Sequence, residues 1–374
     1  MTLIAYFLDL GVAISDLLVT VEGSGPWPYM PSIGCADPRV LELPFHPTRL
    51  VRKIGKLTVG GQTTPFMIAG TVNHVQAYLE TAESLALGKL KPESSRVPLD
   101  RNSLGSVLDH AARFAMSRGQ TDVSVIGLRG NMTATLAPLR RKLPYFGDVM
   151  LAGSGAPEIE RFLEGRAREY EIAFAADTKE MKLFRVMHYV PMQLLNSDRQ
   201  VQSATLSEGV GGFCEVLYNY RGRLQPDEMD WLRILGDLDE PLGTGVRVRA
   251  LWWHCYKESN LIVVSAPNEN LQIIAGESEL LPVERLRVDC FGPYTARAMK
   301  LPPNPRDLLP RLVRSRFRSF SLSVPGDRRP LLSTMASRGT GFFRVMWSAQ
   351  GISITLNAKE FTDVVAAAEQ GRRL

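Results

Sequence analysis

The first twenty residues, MTLIAYFLDLGVAISDLLVT, constrain this chain more than any other stretch. They read as two strands, 2–8 and 12–20, folded over a turn at Asp9-Leu10-Gly11. Thr2, Ile4, Tyr6 and Leu8 alternate with Leu3, Ala5 and Phe7, so the first strand is apolar on both faces. A strand of that kind sits inside a sheet covered above and below. The second strand nevertheless carries a carboxylate, Asp16. An unpaired buried charge is too costly to keep, so Asp16 requires a cationic or hydrogen-bonding partner from elsewhere.

The remaining composition narrows the classes. With 374 residues the chain has room for two domains at roughly 150 residues each. At 45% hydrophobic and 22% charged it matches an ordinary globular protein. Cys35, Cys214, Cys255 and Cys290 form no CxxC pair, which argues for buried thiols in a reducing compartment and against a disulfide framework. The five histidines show no paired ligand spacing, so no structural metal site is expected. Asp9 and Asp16 interrupt the apolar start and no basic segment leads it, so the expectation is a cytoplasmic protein without a membrane span. A net charge of +5 by itself supports only weak nonspecific attraction to polyanions, and nucleic acid is not the expected partner.

Beyond the hairpin, residues 21–49 are rich in Pro and Gly and read as a long excursion. A strand is predicted over 50–59, a turn at GGQTT, a partner strand over 65–70, and helices over 71–87 and 102–118. Strands follow at 122–128, 132–138 and 148–152, the last running into Gly153-Ser154-Gly155 and a helix over 156–170. A further helix within 178–195 precedes Gly211-Gly212 and a strand.

Several of these positions resemble the β-type subunits of proteasomes and their bacterial relatives, which are N-terminal nucleophile hydrolases. The matching features are a Thr opening an apolar strand, a short hairpin, and Asp16-x-x-x-Thr20. Val51-Arg52-Lys53-Ile54 is similar to the segment that places a lysine beside the nucleophile, with Arg52 and Lys56 as competing candidates. Ala69-Gly70 stands at a strand–helix junction, and Gly153-Ser154-Gly155 follows a strand, as in that family. The resemblance covers about residues 1–222. It implies a four-layer αββα sandwich, an α+β fold, with Thr2 as nucleophile and, through a freed α-amine, general base. Initiator Met is normally removed before Thr, which would expose that amine. Lys53 and Asp16 would tune it, Gly70 would donate an N–H to the oxyanion, and Ser154 would complete the hydrogen-bond network. One departure stands out: Ser207, followed by Glu208, occupies the place of a supporting Asp.

Residues 223–374 resemble no family and read as an added, mainly β domain, with strands at 246–256, 260–267 and 271–276. Trp252-Trp253-His254-Cys255 alternates across a strand, so core packing is expected there. Arg311, Arg314 and Arg318 would share one face if 305–320 were a single helix. Arg338-Gly339-Thr340-Gly341-Phe342-Phe343 departs from an RNA-binding strand motif at Thr340. A final helix is predicted over 359–370.

The resemblance therefore implies a threonine-type amide hydrolase acting on a peptide or protein substrate without metal or organic cofactor, assembled as a homo-oligomer. The alternative is an inactive scaffold of the same fold whose C-terminal domain recognises a protein partner.

Overall fold

The computed structural model describes residues 3–23, 45–91, 97–120, 122–127, 132–134, 139–198, 211, 213–227, 230–239, 244–257, 260–266, 271–292, 303–314, 317–323, 332–336 and 343–370. They form a mixed α and β structure in two compact units, the first ending at Asp227 and the second beginning after it.

In the first unit, β1 (Ile4–Phe7) and β2 (Val12–Asp16) make the predicted hairpin, in register from Ile4↔Ser15 to Phe7↔Val12. The second strand does not run on to residue 20 as expected. It breaks at Leu17, and β3 (Leu18–Glu22) pairs instead with β4 (Phe45–Leu50) in a separate two-stranded sheet. The cause is local. The Asp16 carboxylate accepts the Leu18 N–H at 3.2 Å, while the Leu17 N–H turns to the carbonyls of Gly211 and Phe213. The strand expected over 50–59 is likewise divided, because β5 (Ile54–Val59) begins only after residues 51–53.

β5 and β6 (Gln62–Gly70) join through Gly60 and Gly61, both at positive φ (57° and 75°), as a two-residue turn of this hand requires. Helices α1 (Val72–Ala86) and α2 (Leu104–Ser117) follow at the predicted places, then β7 (Val123–Ile126) and β8 (Met132–Ala134). β9 (Leu139–Leu143) was not expected; it precedes β10 (Gly147–Ala152). Its centre, Arg140-Arg141-Lys142, is charged because β9 is an edge strand, where charge discourages further pairing. Next come α3 (Ala156–Ala173), α4 (Lys179–Asp198), β11 (Cys214–Tyr220) and β12 (Arg223–Pro226). β12 pairs with β11, so the first unit keeps a strand beyond the 222/223 boundary drawn from sequence.

Besides the β3-β4 pair, two larger antiparallel sheets result among the described residues, β12-β11-β2-β1-β10-β9 and β5-β6-β7-β8. Strand alternation assigns their faces. Phe66 and Ile68 pack under α1 and α2, whereas Met67 and Ala69 pack with Ile4, Tyr6 and Ala13 of the larger sheet. On that sheet's other face, Phe7 meets the Phe146 ring at 5.9 Å, and Phe146 meets Tyr170 of α3 at 5.3 Å. β1 is thus covered on both sides, as its two apolar faces demand.

The second unit contains β13 (Trp231–Leu238), β14 (Gly245–Lys257), β15 (Asn260–Ala266), β16 (Leu271–Ile274), β17 (Ser278–Pro282) and β18 (Arg287–Phe291). α5 (Pro305–Val313), β19 (Phe317–Ser323), β20 (Leu332–Ala336), β21 (Phe343–Ser348), β22 (Gly351–Leu356) and α6 (Ala358–Glu369) complete it. Its main sheet runs β18-β15-β14-β13-β19-β20, with β16 also on β14; among the described residues β13 and β19 pair in parallel and its other pairings are antiparallel. A smaller sheet runs β17-β22-β21. Trp253 and Cys255 lie in the core with Phe320 and Phe361, and Trp252 packs on the opposite face with Leu235.

The shared arginine face is corrected. The helix ends at Val313 and Arg318 belongs to β19, while Arg311 makes a two-pronged bond to Asp230 (2.9 and 2.7 Å). Of Arg338–Phe343, residues 338–342 lie outside the described residues. Among the described residues, no helix is long and apolar enough to cross a membrane.

Candidate functional site

Asp16 ends β2, fully buried, and its carboxylate gathers four donors. Oδ1 accepts the Leu3 N–H at 2.9 Å and the Lys53 ammonium at 2.5 Å. Oδ2 accepts the N–H groups of Leu18 and Gly211, each at 3.2 Å. These bonds fill the roughly four acceptor positions a carboxylate offers. Asp16 therefore fastens four segments of the chain and has no lone pair left over for a reacting proton.

Lys53 arrives on the irregular segment 51–53. The Val51 N–H donates to Leu17 O (2.8 Å), and Lys53 O accepts the Ile68 N–H (2.9 Å). The ammonium also donates to Leu18 O at 2.8 Å. Its third N–H meets no acceptor among the described residues. Burial pulls Lys53 below the usual lysine value, and the Asp16 charge and hydrogen bond push back against that.

Arg52, the preceding residue, is fully buried and bonds Glu215 of β11. Burial raises the Glu215 carboxyl, opposed by the charges of Arg52 and, more weakly, Lys56. Of the three cations proposed for Asp16, Lys53 is the one in contact with it. The Arg52–Glu215 pair escaped the sequence reading, although the argument applied to Asp16 holds equally for a Glu inside the apolar run FCEVLY.

The other predicted positions lie at strand ends nearby. Ile4 pairs with both Ser15 and Ala152, so the end of β10, just before Ser154, falls at the Asp16 end of the larger sheet. Ser154 is exposed in the turn leading to α3. Gly70 ends β6 at φ 142°, and a Cβ there would stand 2.1 Å from Asp122 O. Its glycine is thus required by packing whatever its N–H does. Thr2, Ser207 and Glu208 lie outside the described residues. Among the described residues no group of His, Cys, Asp or Glu is placed to hold a metal ion.

The chain has structural likenesses to Anbu proteins. Anbu (Gly-1 mutant) from Hyphomicrobium sp. strain MC1 shares 16% identity at a TM-score of 0.31, over 60% of this chain and 84% of that one. The Anbu complex from Pseudomonas aeruginosa, described as a helical assembly, gives 16% and 0.30 over 61% and 85%. Anbu from Yersinia bercovieri, described as an ancestral β-subunit, gives 16% and 0.31 over 60% and 86%. No protein-family model matches the sequence, and no curated protein does.

Proposed function

We propose that the first unit is a proteasome-like, four-layer αββα N-terminal threonine hydrolase that cleaves amide bonds in peptides. One observation carries this reading. A single oxygen, Asp16 Oδ1, bonds both the Leu3 N–H and the Lys53 ammonium, which sets the lysine beside the start of β1, where Thr2 precedes Leu3.

Once freed of what precedes it, the Thr2 α-amine accepts the hydroxyl proton as Oγ attacks the substrate carbonyl. The Lys53 charge lowers that amine's pKa from about 8 and favours negative charge on the threonine oxygen. The Gly70 N–H, at the mouth of α1, serves the oxyanion, and Ser154 steadies the amine. The intermediate then expels the substrate amine, which takes the proton held by the α-amine. Water, deprotonated by the same amine, hydrolyses the resulting ester and restores the hydroxyl. Asp16 acts as holder of Lys53 rather than as a base, because its acceptor positions are filled.

The second reading is a non-catalytic scaffold of this fold, with the second unit recognising a protein partner. It is favoured by Ser207 in place of a supporting Asp and by the purely structural character of the Asp16 bonds. In both readings the protein works in the cytoplasm as a homo-oligomer.

The test is mass spectrometry of the full chain from a native-like host. The hydrolase begins at Thr2 and gains one equivalent of an electrophile that joins hydroxyl and adjacent amine. A chain that keeps residues before Thr2 and takes no label is the scaffold.

A further inference from the structure

The smaller sheet of the second unit, β17-β22-β21, ends at β21, which among the described residues pairs with β22 alone. Alternation turns Phe343, Val345 and Trp347 to the core side and Arg344, Met346 and Ser348 outward. Phe343 and Val345 are buried accordingly. Trp347 is 47% exposed, although Ile352 and Leu281, in the same cross-strand row, are 0% and 2% exposed. Met346, on the opposite face, is 43% exposed. Two consecutive large apolar residues that point to opposite faces and are both exposed mark an edge left open at that place. We propose that this edge pairs antiparallel with β21 of a second copy of the chain, around a two-fold axis at Met346, making one continuous sheet through both copies.

Three observations favour a second copy as the occupant. First, an edge strand presents unpaired N–H and C=O groups, and chains that keep such an edge free guard it with Pro, Lys or a bulge. The run Phe343–Ser348 contains neither Pro nor Lys, and its register on β22 is unbroken from Phe343↔Leu356 to Ser348↔Gly351. Second, the strand complements itself. An axis at Met346 sets Met346 opposite the copy's Met346, Val345 opposite Trp347, and Arg344 opposite Ser348. Apolar groups thus meet on both faces, and the two arginines stay apart. An axis at Val345 would instead place Arg344 against Met346. Third, Leu280, 38% exposed, and Met346 flank Ser353 in one row of the outer face, and the two-fold joins this row to the same row of the copy. Exposed Trp and Met are also the side chains enriched where protein surfaces meet.

The contact is isologous. It names one interface of the homo-oligomer read above and is independent of hydrolysis. Met346→Cys is made in the full chain, and dilute protein is treated with a short bis-methanethiosulfonate linker. Opposed residues of an antiparallel pair have Cα atoms about 4.5–5.5 Å apart, so the two substituted positions are within its reach. Met346→Cys should give a dimer on non-reducing gels at least tenfold above the wild type, whose own cysteines set the background. Arg344→Cys alone and Ser348→Cys alone should not, because each lies four residues, about 13 Å, along the strand from its own symmetry mate. Mixing those two variants should bring the dimer back, which random collision does not do. All three side chains are exposed, so the substitutions leave the core intact. Adding Trp347→Glu to Met346→Cys should cut the dimer at least tenfold with circular dichroism unchanged. No dimer from Met346→Cys, an equal dimer from Arg344→Cys alone, or indifference to Trp347→Glu overturns the proposal and leaves the edge to a foreign extended segment. Light scattering that finds large species while Met346→Cys gives no dimer keeps the homo-oligomer and removes this contact.

Discussion

Lys53 Nζ lies 2.5 Å from Asp16 Oδ1 across 37 positions of sequence, and the two residues are 3% and 0% exposed. Removing one partner of such a pair strands the other charge, which costs about 3–5 kcal/mol. The two single variants should nevertheless differ. Lys53→Met removes one cation, whereas Asp16→Asn also replaces an acceptor that three backbone N–H groups share. Asp16→Asn is therefore the more destabilising, and Asp16→Asn with Lys53→Met recovers only part of the loss. Urea unfolding of the four proteins checks this; equal losses for both singles would mean that the backbone bonds to Asp16 contribute little.

Gly70 gives a prediction that separates fold from chemistry. An added Cβ would meet Asp122 O at 2.1 Å and Asp122 C at 2.9 Å, both backbone atoms that cannot swing aside. Gly70→Ala should lower stability by about 2 kcal/mol or more. Thermal unfolding reads the loss, and a wild-type melting temperature would contradict the close approach of β6 to β7. Loss of Thr2 labelling in this variant is accordingly no measure of oxyanion stabilisation.

What the sequence made legible follows from the range of the forces involved. The first hairpin, α1 and α2 are written in local apolar periodicity, and so were readable. The break at Leu17 was not, because it is made by Asp16 and by the carbonyls of Gly211 and Phe213, far along the chain. β9 was hidden by its charged centre, which suits an edge strand but imitates a loop. At the site, a buried carboxylate announced that Asp16 needed a partner, and Lys53 was among three candidates. The sequence left Arg52, Lys53 and Lys56 open, and only the folded chain shows Lys53 on Asp16 and Arg52 on Glu215, a residue of β11 far along the chain.

Cys255 supplies the pH dependence. Burial, the largest influence, pushes its thiol from 9.0 up to about 12. A folded value raised above the unfolded one means stability fully present below pH 9 and lost as pH climbs toward 12. Over that window the unfolded thiol ionises while the folded thiol does not, at about 1.4 kcal/mol per pH unit. Cys255→Ala leaves a cavity whose cost does not change with pH. Wild type should thus lead Cys255→Ala at pH 8, and that lead should shrink by about 2 kcal/mol by pH 10.5. Urea unfolding at both values tests it; a constant difference would show that the thiol ionises alike in both states.

The last prediction is assembly. An amide hydrolase with unrestricted access would attack neighbouring proteins, so its site must be enclosed, and repeated contact between copies of one chain is a direct way to enclose it. Such contacts are heterologous, closing as rings where the rotation permits and otherwise continuing as helical stacks. The first unit carries apolar side chains suited to a contact: Ile172 near the end of α3 is 81% exposed, and Met181 near the start of α4 is 47% exposed. Scattered singly, such residues need no explanation, so the prediction is tied to a variant. Light scattering behind size exclusion, in moderate salt, should give a mass several times the 41.5 kDa of one chain. Ile172→Glu should shift the distribution toward smaller species while circular dichroism stays unchanged. A wild-type mass near one chain at every concentration would rule out enclosure by self-assembly, and an unaltered assembly in Ile172→Glu would move the contact away from α3.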